Sequence, residues 1–303
     1  MYAAFDIGGT EVKYAKLSEN GDFLHRGSFA TERDNGQLIL DHMLDVIAQY
    51  QNLKGIAISA PGFVNAYTGF IEKGGAITDF DGFNMKDYLE DKTGIAVSVE
   101  NDVNCAALAE KWKGKAENLE HFLCLTIGTG IGGAIVLGNK LYRGSSFAAG
   151  EFGYMITHGM QENSLDKSTL SSTASVYGLR KRYAAQKGIS VKDITGVKIF
   201  EAADQGDQTA INEIESFYDH LSTGLYNLYF MLNPEKILIG GGISSRTELL
   251  DEIRQRVCKL NDYIDENVID ICHFKNEAGL IGALYHHLEQ YKTEKKDETV
   301  WKG

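Results

Sequence analysis

Proline is nearly missing from this chain, two residues in 303, so the breaks in its backbone rest on glycine, of which there are 33. Cysteine is scarce too. Cys105, Cys124, Cys258 and Cys272 lie far apart and form no CxxC pair, usage that fits buried or free thiols in a reducing cytoplasm. No run of about 18 apolar residues is there to span a bilayer, and no signal peptide precedes the first strand-like run. The expectation is a cytoplasmic protein. Positive charge is also in short supply: 30 Lys and Arg stand against 42 Asp and Glu, a net charge of −12. That balance argues against nucleic acid or an anionic membrane as partner, since either would want clustered cations. The tail Lys292-Thr293-Glu294-Lys295-Lys296-Asp297-Glu298 is charged both ways and reads as a solvated terminus. The remaining composition, 43% apolar and 24% charged, is ordinary for a globular enzyme. The length allows two domains with well-buried cores.

What the chain does have is three glycine loops, each at the end of a β-rich apolar run. Tyr2–Phe5 leads into Asp6-Ile7-Gly8-Gly9-Thr10-Glu11-Val12-Lys13, and Phe122–Ile127 into Gly128-Thr129-Gly130-Ile131-Gly132-Gly133. Lys236–Ile239 leads into Gly240-Gly241-Gly242-Ile243-Ser244. Glycine at such a turn lets backbone N–H groups approach anionic oxygens with no Cβ in the way. Three such loops in one chain point to a nucleotide held between two lobes.

The patterning is α/β. An Asn20-Gly21 turn between Glu11–Leu17 and Phe23–Ser28 signals a hairpin. Gln37–Tyr50 has helical spacing, Gly55–Ala60 is a short buried strand, Met85–Thr93 a helix and Ile95–Glu100 a strand. Val103–Trp112 is a helix, and a break at Lys113–Asn118 marks a boundary between domains at 1–115 and 116–303. The strand–glycine turn–strand pattern then restarts as Phe122–Ile127, Ala134–Leu137 and Lys140–Arg143, the mark of an internal duplication. Helices are expected at Ser172–Lys187, Val197–Gln205, Gln208–Leu232 and Thr247–Leu260, with a strand at Lys236–Gly240. The last helix, about 280–291, is expected to pack back on the N-terminal lobe.

Three acidic positions carry candidate chemistry. Asp6 can hold Mg²⁺ or its water shell, with Thr10 and Lys13 adding a hydroxyl and a positive charge; the run is neither a Walker A loop nor a dinucleotide fingerprint. Taken alone it is also a plain hairpin turn. In Glu100-Asn101-Asp102-Val103-Asn104, Asp102 is the candidate general base for phosphoryl transfer to an alcohol. Asn101 is placed to bind neighbouring hydroxyls, though Asn and Asp here equally suit a helix N-cap. Glu151, between Gly150 and Phe152-Gly153, can accept two hydroxyl hydrogen bonds from a polyol, or be a surface loop acid. Aromatics near Asp79–Phe83 could line a sugar subsite or be core. Cys105 reads as a helix-packing residue, and His286-His287 as facing solvent.

Asp6–Lys13, Glu100–Asn104, Gly128–Gly133 with Gly150–Gly153, and Gly240–Ser244 stand in the order of the ROK sugar kinases, and the chain resembles that family from about Tyr2 to Leu288. The resemblance implies two ribonuclease-H-like, actin/hexokinase-type lobes with ATP and Mg²⁺ in a cleft between them. Asp6, Gly8, Gly9, Thr10 and Lys13 with Gly128, Thr129, Gly130 and Gly132 would serve the phosphates, and Gly240, Gly241 and Gly242 would flank the adenosine. Asp102 would be the base, with Asn101 and Glu151 on the sugar. Family members often form homodimers through the C-terminal lobe.

Two departures follow. Family members usually carry His three residues after the sugar-binding Glu, where this chain has Tyr154, and a cysteine triplet that with the His binds zinc. Met155–Val176 contains no cysteine and a single histidine, His158, so no zinc site is expected. The second sugar-contacting Glu also falls away, with Ser171 near its place. Losing both groups removes partners for the anomeric end of a free sugar, and such a site accepts a glycoside. Among zinc-less relatives the chain is most similar to the bacterial β-glucoside kinases. It shares Ser59-Ala60-Pro61-Gly62, Gly74-Gly75-Ala76-Ile77, Gly150–Met155 and Gly224–Leu228, which puts Gly62, Gly75 and Tyr154 among substrate-binding residues. The expected activity is transfer to the 6-hydroxyl of a glucosyl unit, as in cellobiose or gentiobiose. Glucokinase and N-acetylmannosamine kinase are the alternatives. A sugar-sensing repressor would need a winged helix ahead of the first strand, for which there is no room. A non-enzymatic actin-like ATPase would give Asn101, Asp102 and Glu151 no reason to converge.

Overall fold

A computed structural model of the chain describes residues 1–300, with side chains through residue 292. The side chains of the expected solvated tail beyond Lys292 therefore lie outside the described residues. Two compact units make up the chain. The first holds Met1–Asn118, Arg143–Ala149 and the chain from Asn276 on; the second holds Leu119–Tyr142 and Gly150–Lys275. The expected division at 115/116 thus falls three residues early. It also misses Arg143–Ala149, while the return of the last helix to the first unit is as expected.

The first unit is built on β1 (Tyr2–Ile7), β2 (Glu11–Leu17), β3 (Phe23–Ala30), α1 (Gly36–Ala48) and β4 (Gly55–Ala60). A small sheet of β5 (Phe63–Asn65), β6 (Phe70–Lys73) and β7 (Phe83–Asn84) follows, then α2 (Met85–Thr93), β8 (Val97–Asn101) and α3 (Asp102–Lys113). The main sheet runs β3-β2-β1-β4-β8, antiparallel on the β2 side and parallel on the β4 side. Central β1 and β4 are covered on both faces, as an interior strand must be. From β1, Ala3, Phe5 and Ile7 join a core with Ile39, Leu40 and Met43 of α1. The alternate residues Tyr2 and Ala4 point the other way, to Leu280 and Leu284, as the period of two requires.

The second unit repeats that plan. Its β9 (Phe122–Ile127), β10 (Ile131–Leu137) and β11 (Lys140–Tyr142) form the antiparallel side. Helices α4 (Leu165–Ser168), α5 (Leu170–Ala174), α6 (Val176–Lys187), α7 (Gly196–Asp204) and α8 (Gln208–Leu232) precede β12 (Lys236–Gly240), α9 (Leu249–Leu260) and β13 (Ile269–Ile271). The order β11-β10-β9-β12-β13, with β12 and β13 parallel, matches the first sheet strand for strand. The duplication and the ribonuclease-H-like topology are therefore both present. The single helix expected over Ser172–Lys187 is instead α5 and α6, broken at Ser175, whose side chain caps the Gly178 N–H at 2.9 Å. Helix α8 ends where Asn233 turns left-handed at φ 42° ahead of Pro234.

The last helix, α10 (Ala278–Val300), returns to the first unit against α3, β1 and β4. Small residues make this approach possible. A Cβ on Gly282 would stand 1.7 Å from the Cys105 carbonyl oxygen, and Cys105 packs with Ala57 and Ala283. Cys105 is the packing residue its surroundings suggested, with burial foremost in pushing its thiol well above the ordinary range. Among the described residues no helix is long and apolar enough to cross a membrane.

Candidate functional site

In the first unit, strand ends deliver the chemistry. Asp6 closes β1 opposite Lys13 on β2 and Ser59 on β4. The Ser59 hydroxyl donates to Asp6 Oδ1 at 2.7 Å. Burial pushes the Asp6 carboxyl up, opposed by that hydrogen bond and by Lys13. Gly279, in the first turn of α10, admits this carboxylate: a Cβ there would lie 2.3 Å from Asp6 Oδ1. Lys13 Nζ also donates to the Asn276 carbonyl at 3.2 Å. The Gly8-Gly9-Thr10 loop is indeed a hairpin turn, closed by the Gly8 N–H donating to Glu11 O at 3.1 Å. Its carbonyls are held from outside, Gly8 by the Thr31 hydroxyl at 2.7 Å and Gly9 by Arg33 Nε. Arg33 thus puts a second cation at this loop, and its coil position in the sequence offers no signal of that.

Gly62 and Gly75 meet. Their φ angles are +91° and +59°, and a Cβ on Gly62 would stand 1.8 Å from the Lys73 carbonyl oxygen. Asn101 anchors the pair, donating from Nδ2 to Gly62 O at 2.9 Å. Its Oδ1 meanwhile accepts from the Val103 and Asn104 N–H groups, so Asn101 is also the N-cap of α3. Asp102 is the first residue of that helix, where the helix dipole favours a negative charge.

Glu100, immediately upstream, is fully buried. Its Oε1 accepts from Asn101 N and Asn104 Nδ2, both at 2.9 Å, and its Oε2 from Arg143 Nε at 2.8 Å, with Nη2 ion-paired to the same oxygen at 2.5 Å. His286 Nδ1 lies 3.9 Å away. Burial acts to raise this carboxyl, but Arg143, His286 and the Asn104 hydrogen bond together hold it below the usual range. His286 and His287 do not face solvent: they are 8% and 2% exposed. Helix α10 is enclosed on more than one side, and His287 Nδ1 is hydrogen-bonded to Ser98 Oγ at 3.0 Å. Burial foremost lowers both imidazoles, His287 to about 4. Of the Asp79–Phe83 aromatics, Phe80 is core and stacks on Phe83.

In the second unit, Gly128-Thr129-Gly130 joins β9 to β10, with the Gly128 N–H donating to Gly130 O at 2.9 Å. Gly241, at φ +84°, presses on the end of β9: a Cβ there would be 2.4 Å from Ile127 O. The second and third glycine loops therefore sit side by side. They open into one cavity of about 600 Å³ lined by Gly128, Thr129, Tyr177, Phe200, Gly242 and Arg246 among others. The Arg246 guanidinium lies 4.2 Å from the centroid of the Phe200 ring. Tyr177 and Phe200 escaped the sequence reading because helix aromatics look like core until a cavity is seen beside them, and Arg246 because it stands in a loop with no motif around it.

Further along, Gly133 and Gly150 pack backbone to backbone. A Cβ on Gly133 would meet Gly150 O at 2.4 Å, tying β10 to the turn that presents Glu151. Burial pushes the Glu151 carboxyl up. Tyr154 follows at 66% exposed. Ser171 Oγ accepts from Ile131 N–H at 2.9 Å, at the exit of the second glycine loop. His158 packs its ring on His220 of α8, centroids 4.0 Å apart.

The profile of the ROK family matches residues 2–290. A β-glucoside kinase of Listeria innocua is 44% identical over 288 residues, covering 95% of this chain and 97% of its own. Among solved structures, the Lmo2764 protein of Listeria monocytogenes, a candidate N-acetylmannosamine kinase, is 43% identical with a TM-score of 0.89, covering 96% of this chain and 99% of its own. A ROK family glucokinase from Streptomyces griseus, solved with glucose and AMPPNP, is 28% identical with a TM-score of 0.79, covering 93% of this chain and 97% of its own.

Proposed function

Because the chain belongs to the ROK family, we propose that it is an ATP-dependent kinase acting on the 6-hydroxyl of a glucosyl unit in a β-glucoside such as cellobiose or gentiobiose. The observation that carries this is the likeness, over nearly the whole chain, to a β-glucoside kinase. The 600 Å³ cavity shared by two glycine loops supports the nucleotide part, being within the roughly 300–1,000 Å³ typical of ligand pockets. Thr129 and the Gly128–Gly130 backbone serve the phosphates, and Gly240–Gly242 flanks the adenosine.

Asp6 suits magnesium. It offers a hard carboxylate oxygen in a partly exposed position with Ser59 fixing its rotamer. Bound there through water, the ion would supply charge neutralisation for the transferring phosphoryl group. Thr10, Lys13 and the Gly8-Gly9 turn line the same strand ends. Asp102 takes the proton of the attacking hydroxyl. Asn101 holds Gly62 in place and has a further amide proton to offer a sugar hydroxyl. Glu151 accepts hydroxyl hydrogen bonds, and the outward-lying Tyr154 tolerates a substituent on O1. A zinc ion has no part in this reading: the segment after Glu151 supplies His158 without cysteines.

The candidate N-acetylmannosamine kinase and the glucokinase among the relatives make those two sugars the competing acceptors. A coupled ADP-release assay with Mg-ATP across cellobiose, gentiobiose, glucose and N-acetylmannosamine decides. Higher kcat/KM on the disaccharides is expected; a preference for either monosaccharide would overturn the glycoside reading and leave the kinase.

A further inference from the structure

The first unit contains an opening that none of the roles above uses. A cavity of about 180 Å³ is lined by Phe63, Asn65, Phe70, Glu72, Ser146 and Phe147. Aromatic walls with a few polar groups are the chemistry of a carbohydrate site, where C–H faces lie on rings and hydroxyls find fixed partners. Its size, below the roughly 300 Å³ at which drug-sized pockets begin, suits one pyranose ring rather than two.

Two features set these aromatics apart from ordinary core. Phe70 is 39% exposed and its neighbour Tyr67 is 69% exposed. Phe147 stands at φ +59°, a left-handed backbone that a bulky residue rarely adopts and that points to a functional demand on its side chain. Its ring packs edge-on against Tyr67, centroids 5.9 Å apart.

Position links the cavity to the proposed acceptor site. Phe63 directly follows Gly62, whose carbonyl Asn101 holds. Ser146 and Phe147 lie on the stretch that Arg143 fastens to Glu100, next to Asn101 and Asp102 in sequence. One wall thus continues from Gly62, and the other is fastened to the residue that precedes Asn101.

We propose that this cavity is the subsite for the second ring of the substrate, the β-linked pyranose or aglycone carried on O1. Phe147 and Phe70 stack on it, and Glu72 and Asn65 meet its hydroxyls. The proposal rests on the β-glucoside reading and extends it by naming what selects the glycoside.

The test compares kcat/KM for cellobiose, methyl β-glucoside and glucose in wild type, Phe147→Gly and Phe70→Ala. Glycine suits the left-handed backbone at 147, and Phe70 is exposed, so the two variants do not share one folding risk. Losing a stacked ring should lower kcat/KM for cellobiose about tenfold, with the loss small for methyl β-glucoside and absent for glucose. Equal losses on cellobiose and glucose, or no loss on either, would overturn the subsite while leaving the kinase reading intact. A wild-type enzyme that phosphorylates glucose but no glucoside would overturn the β-glucoside reading and the subsite together.

Discussion

Replacing Arg143 by Met isolates the contribution of the buried ion pair behind the proposed base. The substitution keeps most of the side-chain volume and removes the charge. Glu100 is fully buried and takes a hydrogen bond from Arg143 Nε at 2.8 Å, with Nη2 paired to the same oxygen at 2.5 Å. Without it, the basic group left beside Glu100 is His286, 3.9 Å away, whose imidazole burial disfavours in its charged form. Breaking a buried pair from one side typically costs about 3–5 kcal/mol. At about 2–4 °C per kcal/mol for a unit of this size, the melting temperature should fall by roughly 6–20 °C. The sign of the pH dependence is a second readout. In the wild type the folded Glu100 carboxyl lies below its ordinary value, so its contribution is present above the unfolded carboxylate range and is lost as pH falls through the folded value. In Arg143→Met burial dominates, the folded value rises above the unfolded one, and acid relieves the penalty. The stability gap between the two proteins should therefore narrow from pH 8 to pH 5 in parallel denaturant titrations. The double variant Arg143→Met, Glu100→Gln should recover part of the loss. A gap under about 1 kcal/mol, or one independent of pH, would refute the reasoning.

Three further outcomes follow from the geometry. Asp102→Asn should leave sugar binding near normal by calorimetry and reduce kcat by about 10²–10⁴-fold; near-normal turnover would remove Asp102 from the role of base. Arg246→Ala, which takes away the guanidinium over Phe200, should raise the KM for ATP severalfold and leave the sugar KM alone; a change confined to the sugar would place the nucleotide elsewhere. His287, lowered to about 4 by burial, is protonated more readily when unfolded. Stability should then fall as pH drops from about 6.5 toward 4, by roughly 3 kcal/mol, and His287→Gln should flatten that stretch of the acid-unfolding curve.

The elements that were legible in the sequence are those whose signals are local. Tyr2–Ile7, Phe122–Ile127 and Lys236–Gly240 are buried runs cut off by glycine, and each is a central strand. Helix α8 was readable at both ends because Asp207 caps its start and Asn233-Pro234 stops it. The strands β5 to β7 and β13, two to four residues each, are too short to show a period of two. The break at Ser175 hides because serine is acceptable inside a helix as well as at a cap.

The site divides in the same way. Although a hairpin turn, a helix start and a left-handed backbone account for them equally well, Asp6, Asp102 and Gly241 stand out in the sequence by their place at strand ends. Their supports do not, because each comes from a distant segment: Ser59 and Gly279 to Asp6, Arg143 and His286 to Glu100, Gly133 to Gly150. Glu100 could have prompted the search. A carboxylate at the end of an apolar strand is buried, and a buried carboxylate demands a cation. The Lys140–Arg143 run holds the only cations between the second glycine loop and Glu151. The error at His286-His287 has the converse cause. Leu280, Ile281, Leu284 and Leu288 define one apolar stripe, which leaves the histidines on the apparent outer face. Gly279, Gly282 and Ala283 bring α10 so close to α3 and the sheet that the histidine side is covered too. The small residues carried the signal of that close packing, and the large ones concealed it.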